Sequence, residues 1–120
     1  MDLLLSDRAL DHVRASGREL WVWLDERRCC SGSVSYLGAS CEEPRGTARR
    51  IERRFRPVHI DDITVHMSLG ARRPPDEIHI EVRGRLRPRI EAYWNGCIFV
   101  DDRGPARSRS ATTRHTYPVA

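Results

Sequence analysis

The chain contains no lysine, no apolar run near the ~18 residues that a membrane span requires, and no compact ligand spacing such as Cys-x2-Cys or His-x3-His. Each absence excludes something. All 21 basic residues are arginine, which first reflects the coding bias of a GC-rich genome. With 17 acidic residues the net charge is only +4, so charge alone makes nucleic acid an unlikely partner. The Leu3–Leu5 run is too short for a signal-peptide core, so a cytoplasmic protein without a membrane partner is expected. The sequence holds no nucleophile elbow, no phosphate-cradling glycine loop and no His-Glu-x-x-His helix, and an enzyme is therefore not expected.

What is present fits one small domain. A length of 120 residues leaves no room for two hydrophobic cores. Apolar residues make up 39% and charged residues 32%, with three Trp and two Phe, so the core must be small and built from Leu, Ile and Val. Such a chain is marginally stable or gains stability as a homodimer.

Ser6 is an N-cap for a helix from Asp7 to Ala15, Leu5 can staple onto Leu10, and Gly17 is placed to end the helix in the left-handed region. From Glu19 to Glu26 the apolar period becomes two, with Leu20, Val22 and Leu24 on one face and Trp21, Trp23 and Asp25 on the other. This strand leads into the small-residue turn Cys29-Cys30-Ser31-Gly32, and a second strand runs from Ser33 to Leu37. Gly38 to Arg56 reads as a long loop with one helical turn. A single strand is expected over 58–68, with a bulge or two-sided burial where Ile63 breaks the alternation. Ile78, Ile80 and Val82 define another strand, and Asn95-Gly96 is a type I′ turn that sets Trp94 opposite Cys97 in a hairpin running on to Val100. The fold class is therefore mainly β (α+β), a small β-sandwich-like domain over 1–102 with one N-terminal helix. An Arg/Ser/Thr-rich mobile tail is expected over 103–120.

The chemistry centres on Cys29 and Cys30. Thiolates are soft ligands for zinc or iron–sulfur clusters, Gly32 lets backbone and metal approach, and Arg27 and Arg28 favour the thiolate form. The N-terminal helix, the strand, and then Cys30-Ser31-Gly32 with Tyr36 four residues on resemble the opening of the A-type iron–sulfur carrier (HesB-like) family. The resemblance covers about residues 5 to 37. It implies a HesB-like fold and a non-catalytic protein that binds iron or an iron–sulfur cluster, often across a homodimer, with an iron–sulfur client or scaffold protein as partner. Carried over residue by residue, Cys30 stands on the family's first cysteine and Cys97 near the second, while the C-terminal Cys-Gly-Cys pair is absent. The expected ligands are Cys30, Cys97 and Cys29. The doubled cysteine with Gly32 and Ser33 also resembles a small bacterial family with a Cys-Cys-Asp-Gly-Ser turn, a likeness that carries no function.

Alternatives stand beside this reading. Free cysteine often acts as a small buried hydrophobe, which would make the chain an interaction or scaffold module without ligand. Cys41 lies beside Glu42 and Glu43, whose charges raise a thiol pKa. His59, His66 and His79 fall on neighbouring expected strands, where His79 with Glu81 or His59 with Asp61 share a face, although an exposed sheet face accounts for them as well. Arg45, Arg49, Arg50, Arg53, Arg54 and Arg56 suggest an Arg-mediated nucleic-acid binder, but Phe55 is the one aromatic among them.

Overall fold

In a computed structural model of the protein, residues 1–29, 32–44, 54–70, 73–97, 100 and 114–119 are described. They form a mainly β, α+β domain of eight strands and one helix: β1 (Asp2–Ser6), α1 (Asp7–Ala15), β2 (Glu19–Cys29), β3 (Gly32–Ser40), β4 (Arg56–Ile60), β5 (Ile63–Ser68), β6 (Glu77–Arg83), β7 (Arg89–Trp94) and β8 (Arg114–Pro118). Two four-stranded sheets result, ordered β7-β6-β1-β8 and β3-β2-β5-β4. Each sheet is mixed, with one parallel pair at its centre: β1 beside β6 in the first and β2 beside β5 in the second.

The helix forms where local chemistry puts it. The Ser6 hydroxyl accepts a hydrogen bond from the Ala9 N–H at 3.1 Å, satisfying one of the donors orphaned at a helix start. Asp7 favours that positive end, and Gly17 follows the helix at φ +104°. Ala9, Leu10 and Val13 face inward. They join Leu3 and Leu5 of β1, Leu20 and Val22 of β2, Val65 of β5, and Ile78 and Ile80 of β6 in one core shared by both sheets.

Four expectations change. The stretch over 58–68 is two strands rather than one: Ile60 pairs with Ile63 around the two-residue turn Asp61–Asp62. The break in alternation at Ile63 marks that turn, not a bulge, because Asp61 takes φ +49°, a conformation that Asp supports through short-range hydrogen bonding. Leu3, Leu4 and Leu5, which lie ahead of the first expected element, form β1, the strand on which the first sheet is built. The long loop starts later than expected, since β3 runs on to Ser40; the expected helical turn falls mostly on residues outside those described. Finally, the expected tail does not leave the domain throughout. Residues 114–118 return as β8 and pair antiparallel with β1, with Leu3 opposite Tyr117, so the domain is not closed at residue 102. Thr116 and Tyr117 lack the run of apolar residues that flags a strand. They are ordered by the free edge of β1, and the Tyr117 hydroxyl donates to Asp61 at 3.0 Å.

The Asn95-Gly96 turn forms as the sequence indicates, at φ +48° and +78°. Trp94 and Cys97 exchange backbone hydrogen bonds of 2.9 and 2.8 Å. No helix among the described residues is long and apolar enough to cross a membrane.

Candidate functional site

The hairpin of β2 and β3 carries the cysteine pair. Its register runs from Trp21 opposite Ser40 to Cys29 opposite Gly32, so Cys30 and Ser31 are by count the two residues that join the strands. Cys30 and Ser31 themselves lie outside the described residues. Gly32 has φ +128°, which side-chain-bearing residues rarely adopt, and this explains why glycine follows the pair.

β2 has two regimes. From Glu19 to Trp23 it is hydrogen-bonded on both sides, to β3 and to β5, and Leu20 and Val22 are fully buried. From Leu24 to Cys29 it pairs, among the described residues, with β3 alone. That distal part is braced across its outer face. The Asp25 carboxylate accepts from the Trp23 indole N–H at 3.4 Å and from the Tyr36 hydroxyl at 3.3 Å, and its other oxygen accepts from the Glu26 backbone N–H at 2.9 Å. Trp23 lies over its register partner Gly38 so closely that a Cβ there would run into the indole ring. The sequence pattern places Trp23 and Asp25 on one face, but only the register reveals that Tyr36 sits opposite Asp25.

The remaining sequence candidates are scattered. Cys97 is half-buried in its turn, with its thiol 3.9 Å from the Asn95 carbonyl. Three residues on, the Val100 N–H donates to Ser35 of β3 at 2.8 Å, which ties this segment to the edge of the cysteine hairpin. Residues 98 and 99 of the expected strand are outside the described set. Cys41 is packed against the core just past β3. Its thiol is pushed up chiefly by burial, with Glu42 a smaller contributor and a Ser16 hydrogen bond opposing, so the neighbouring carboxylates are not the main cause.

The histidines do not converge. His79 belongs to a different sheet from His59 and His66 and lies 2.8 Å from Glu77. Asp61 falls in a turn, so it does not share a strand face with His59, whose Nδ1 is 3.3 Å from the Thr64 hydroxyl. His66 stacks on Trp21 with ring centroids 4.7 Å apart and reaches Glu19 at 3.3 Å. Among the described residues no group of three or more His, Cys, Asp or Glu is arranged to hold a metal. Of the Arg-rich loop, Arg54 and Arg56 are described and exposed, whereas Arg45, Arg49, Arg50 and Arg53 are outside the described residues.

With this geometry in view, comparison with known families is decisive on one point. A model of the CC/Se motif containing family matches residues 1–90, three quarters of the chain. The chain belongs to that family. The matched segment spans β1 to the start of β7 and includes the whole cysteine hairpin, but ends before Cys97. No curated protein and no solved structure matches the chain.

Proposed function

We propose that the Cys29–Cys30 pair is a soft-donor site for iron or an iron–sulfur cluster and that the protein is a non-catalytic carrier similar to the A-type iron–sulfur carriers. One observation carries this reading. The chain's single Cys-Cys pair begins at Cys29, the last residue of β2 in a long β-hairpin, in a family whose description names a CC/Se motif. Read as sulfur and selenium, that description names two soft donors of the kind that bind thiophilic metals, whereas a packing role has no use for selenium. The site also has supporting features. Gly32, the register partner of Cys29, presents no Cβ to the site, and the exposed Arg28 next to Cys29 favours the thiolate form that metal binding requires.

Two adjacent cysteines are fewer than the four thiolates that usually hold a cluster. Cys97 is the candidate third ligand, and a homodimer would double the set. A client or scaffold protein that exchanges iron or cluster with the site is the expected partner, in the cytoplasm.

Anaerobic reconstitution with iron and sulfide tests the reading. Wild-type protein should become coloured and retain metal by elemental analysis, Cys30→Ala should abolish both, and Cys97→Ala should weaken retention. A wild type that stays colourless and holds no metal ends the reading. Rapid thiol labelling of the native protein at Cys30 then argues against packing cysteines.

A further inference from the structure

The turn between β6 and β7 is separate in sequence from the cysteine hairpin and has a composition of its own. From Arg83 to Arg89 seven consecutive residues are exposed, and four of them are arginine: Arg83, Arg85, Arg87 and Arg89. Arginine is abundant throughout this chain, so charge alone singles out nothing. Leu86 does. At 98% exposure it is the one large apolar side chain among the described residues that stands fully in solvent, and it sits at the middle of that basic run.

The turn is built rather than loose. Arg8 of α1 donates to the Gly84 carbonyl and, at 3.5 Å, to the Val82 carbonyl, which adds a fifth guanidinium at the base of the turn. Gly84 sits at φ +93°, and a Cβ there would come within 2.7 Å of the Arg87 carbonyl oxygen, so the chain folds back tightly on itself. Arg83 is engaged by the Tyr93 hydroxyl at 2.7 Å and by Glu91 at 3.2 Å. Arg85, Arg87 and Arg89 have no ion pair among the described residues. Among the described residues nothing neutralises their charge, and a preformed turn loses little entropy on binding.

We propose that this turn docks the protein on an anionic phospholipid surface, with Leu86 entering the interface and Arg85, Arg87 and Arg89 contacting lipid phosphates. The run contains no aromatic side chain on which a base could stack, which disfavours single-stranded nucleic acid. Between Gly84 and Pro88 the turn has no strand backbone for an extended peptide to pair with. A bilayer needs neither. Basic side chains gain attraction from its anionic headgroups, and the protruding leucine gains an apolar environment without a shaped pocket. Such docking is peripheral and involves no membrane span.

The test is co-sedimentation of the full chain with vesicles of phosphatidylcholine, alone or mixed with phosphatidylglycerol. Binding should require phosphatidylglycerol and fall with salt. R85E/R87E should reduce it about tenfold or more, and L86S about fivefold at unchanged charge. R54E/R56E makes the same change in net charge at exposed residues elsewhere and should reduce binding far less. In L86W, tryptophan emission should shift to the blue on anionic vesicles. The proposal is overturned by equal binding to both vesicles, by an equal loss in R54E/R56E, by an L86W emission that does not move, or by salt-sensitive binding to an oligonucleotide in place of vesicles.

Discussion

The two halves of β2 are one strand under two regimes. From Glu19 to Trp23 it lies between β3 and β5, its inward side chains Leu20 and Val22 fully buried. From Leu24 to Cys29 it has, among the described residues, β3 on one side only, with side-chain contacts around Asp25. The first half supplies stability and the second ends on Cys29, the first residue of the cysteine pair. Segments that bind ligands are drawn from the less stabilised parts of a fold, since changing conformation or partners there costs less than in the core.

The sharpest way to break this comparison is to exchange the effects of its two halves. Leu20→Ala should cost about 2–5 kcal/mol of unfolding free energy by urea titration, because it removes a fully buried side chain and leaves a cavity. Cys30→Ala should change that free energy little while removing bound metal. If Cys30→Ala is as destabilising as Leu20→Ala, the pair belongs to the core and the division of β2 is wrong.

Gly38→Ala probes the boundary between the halves. The added methyl must displace the Trp23 indole, and overpacking of this kind costs about 1–3 kcal/mol. A shift in tryptophan emission should accompany the loss. Unchanged emission and stability would mean that Trp23 does not rest on β3.

Tyr36→Phe has the smallest expected effect. It removes one half-buried hydrogen bond to Asp25, worth about 0.5–1.5 kcal/mol. Amide hydrogen exchange should quicken between Leu24 and Arg28 but not between Glu19 and Trp23. Uniform acceleration would show that the two halves open together.

Much of this architecture is legible along the chain. Ser6 and Asp7 announce the helix, the alternation from Leu20 to Leu24 announces β2, and Asn95-Gly96 announces a turn that forms with both residues at positive φ. The Cys29–Cys30 pair is visible as soon as the sequence is read. The misread segments have a common character. Asp61–Asp62 is a turn without the glycine that usually marks one, and 114–118 is a strand without an apolar period. The proposed grouping of His59, His66 and His79 fails for a different reason, since strands close in the sequence were assigned to two sheets.

The sequence by itself determined which segments are helix, strand or turn wherever local geometry and side-chain chemistry agree, and it determined where the thiols lie along the chain. Only the tertiary structure decided which strands are neighbours: β1 with β6 and β8, β2 with β5, and Tyr36 set across from Asp25. The physical reason is that every residue except proline offers the same backbone donor and acceptor to a neighbouring strand. Pairing is therefore chosen by which arrangement buries Leu3, Leu5, Leu20, Val22, Ile78 and Ile80 in one core. That choice is made by residues far apart in the chain, and it is what sets Cys29 at the end of a strand that, among the described residues, is paired there from one side.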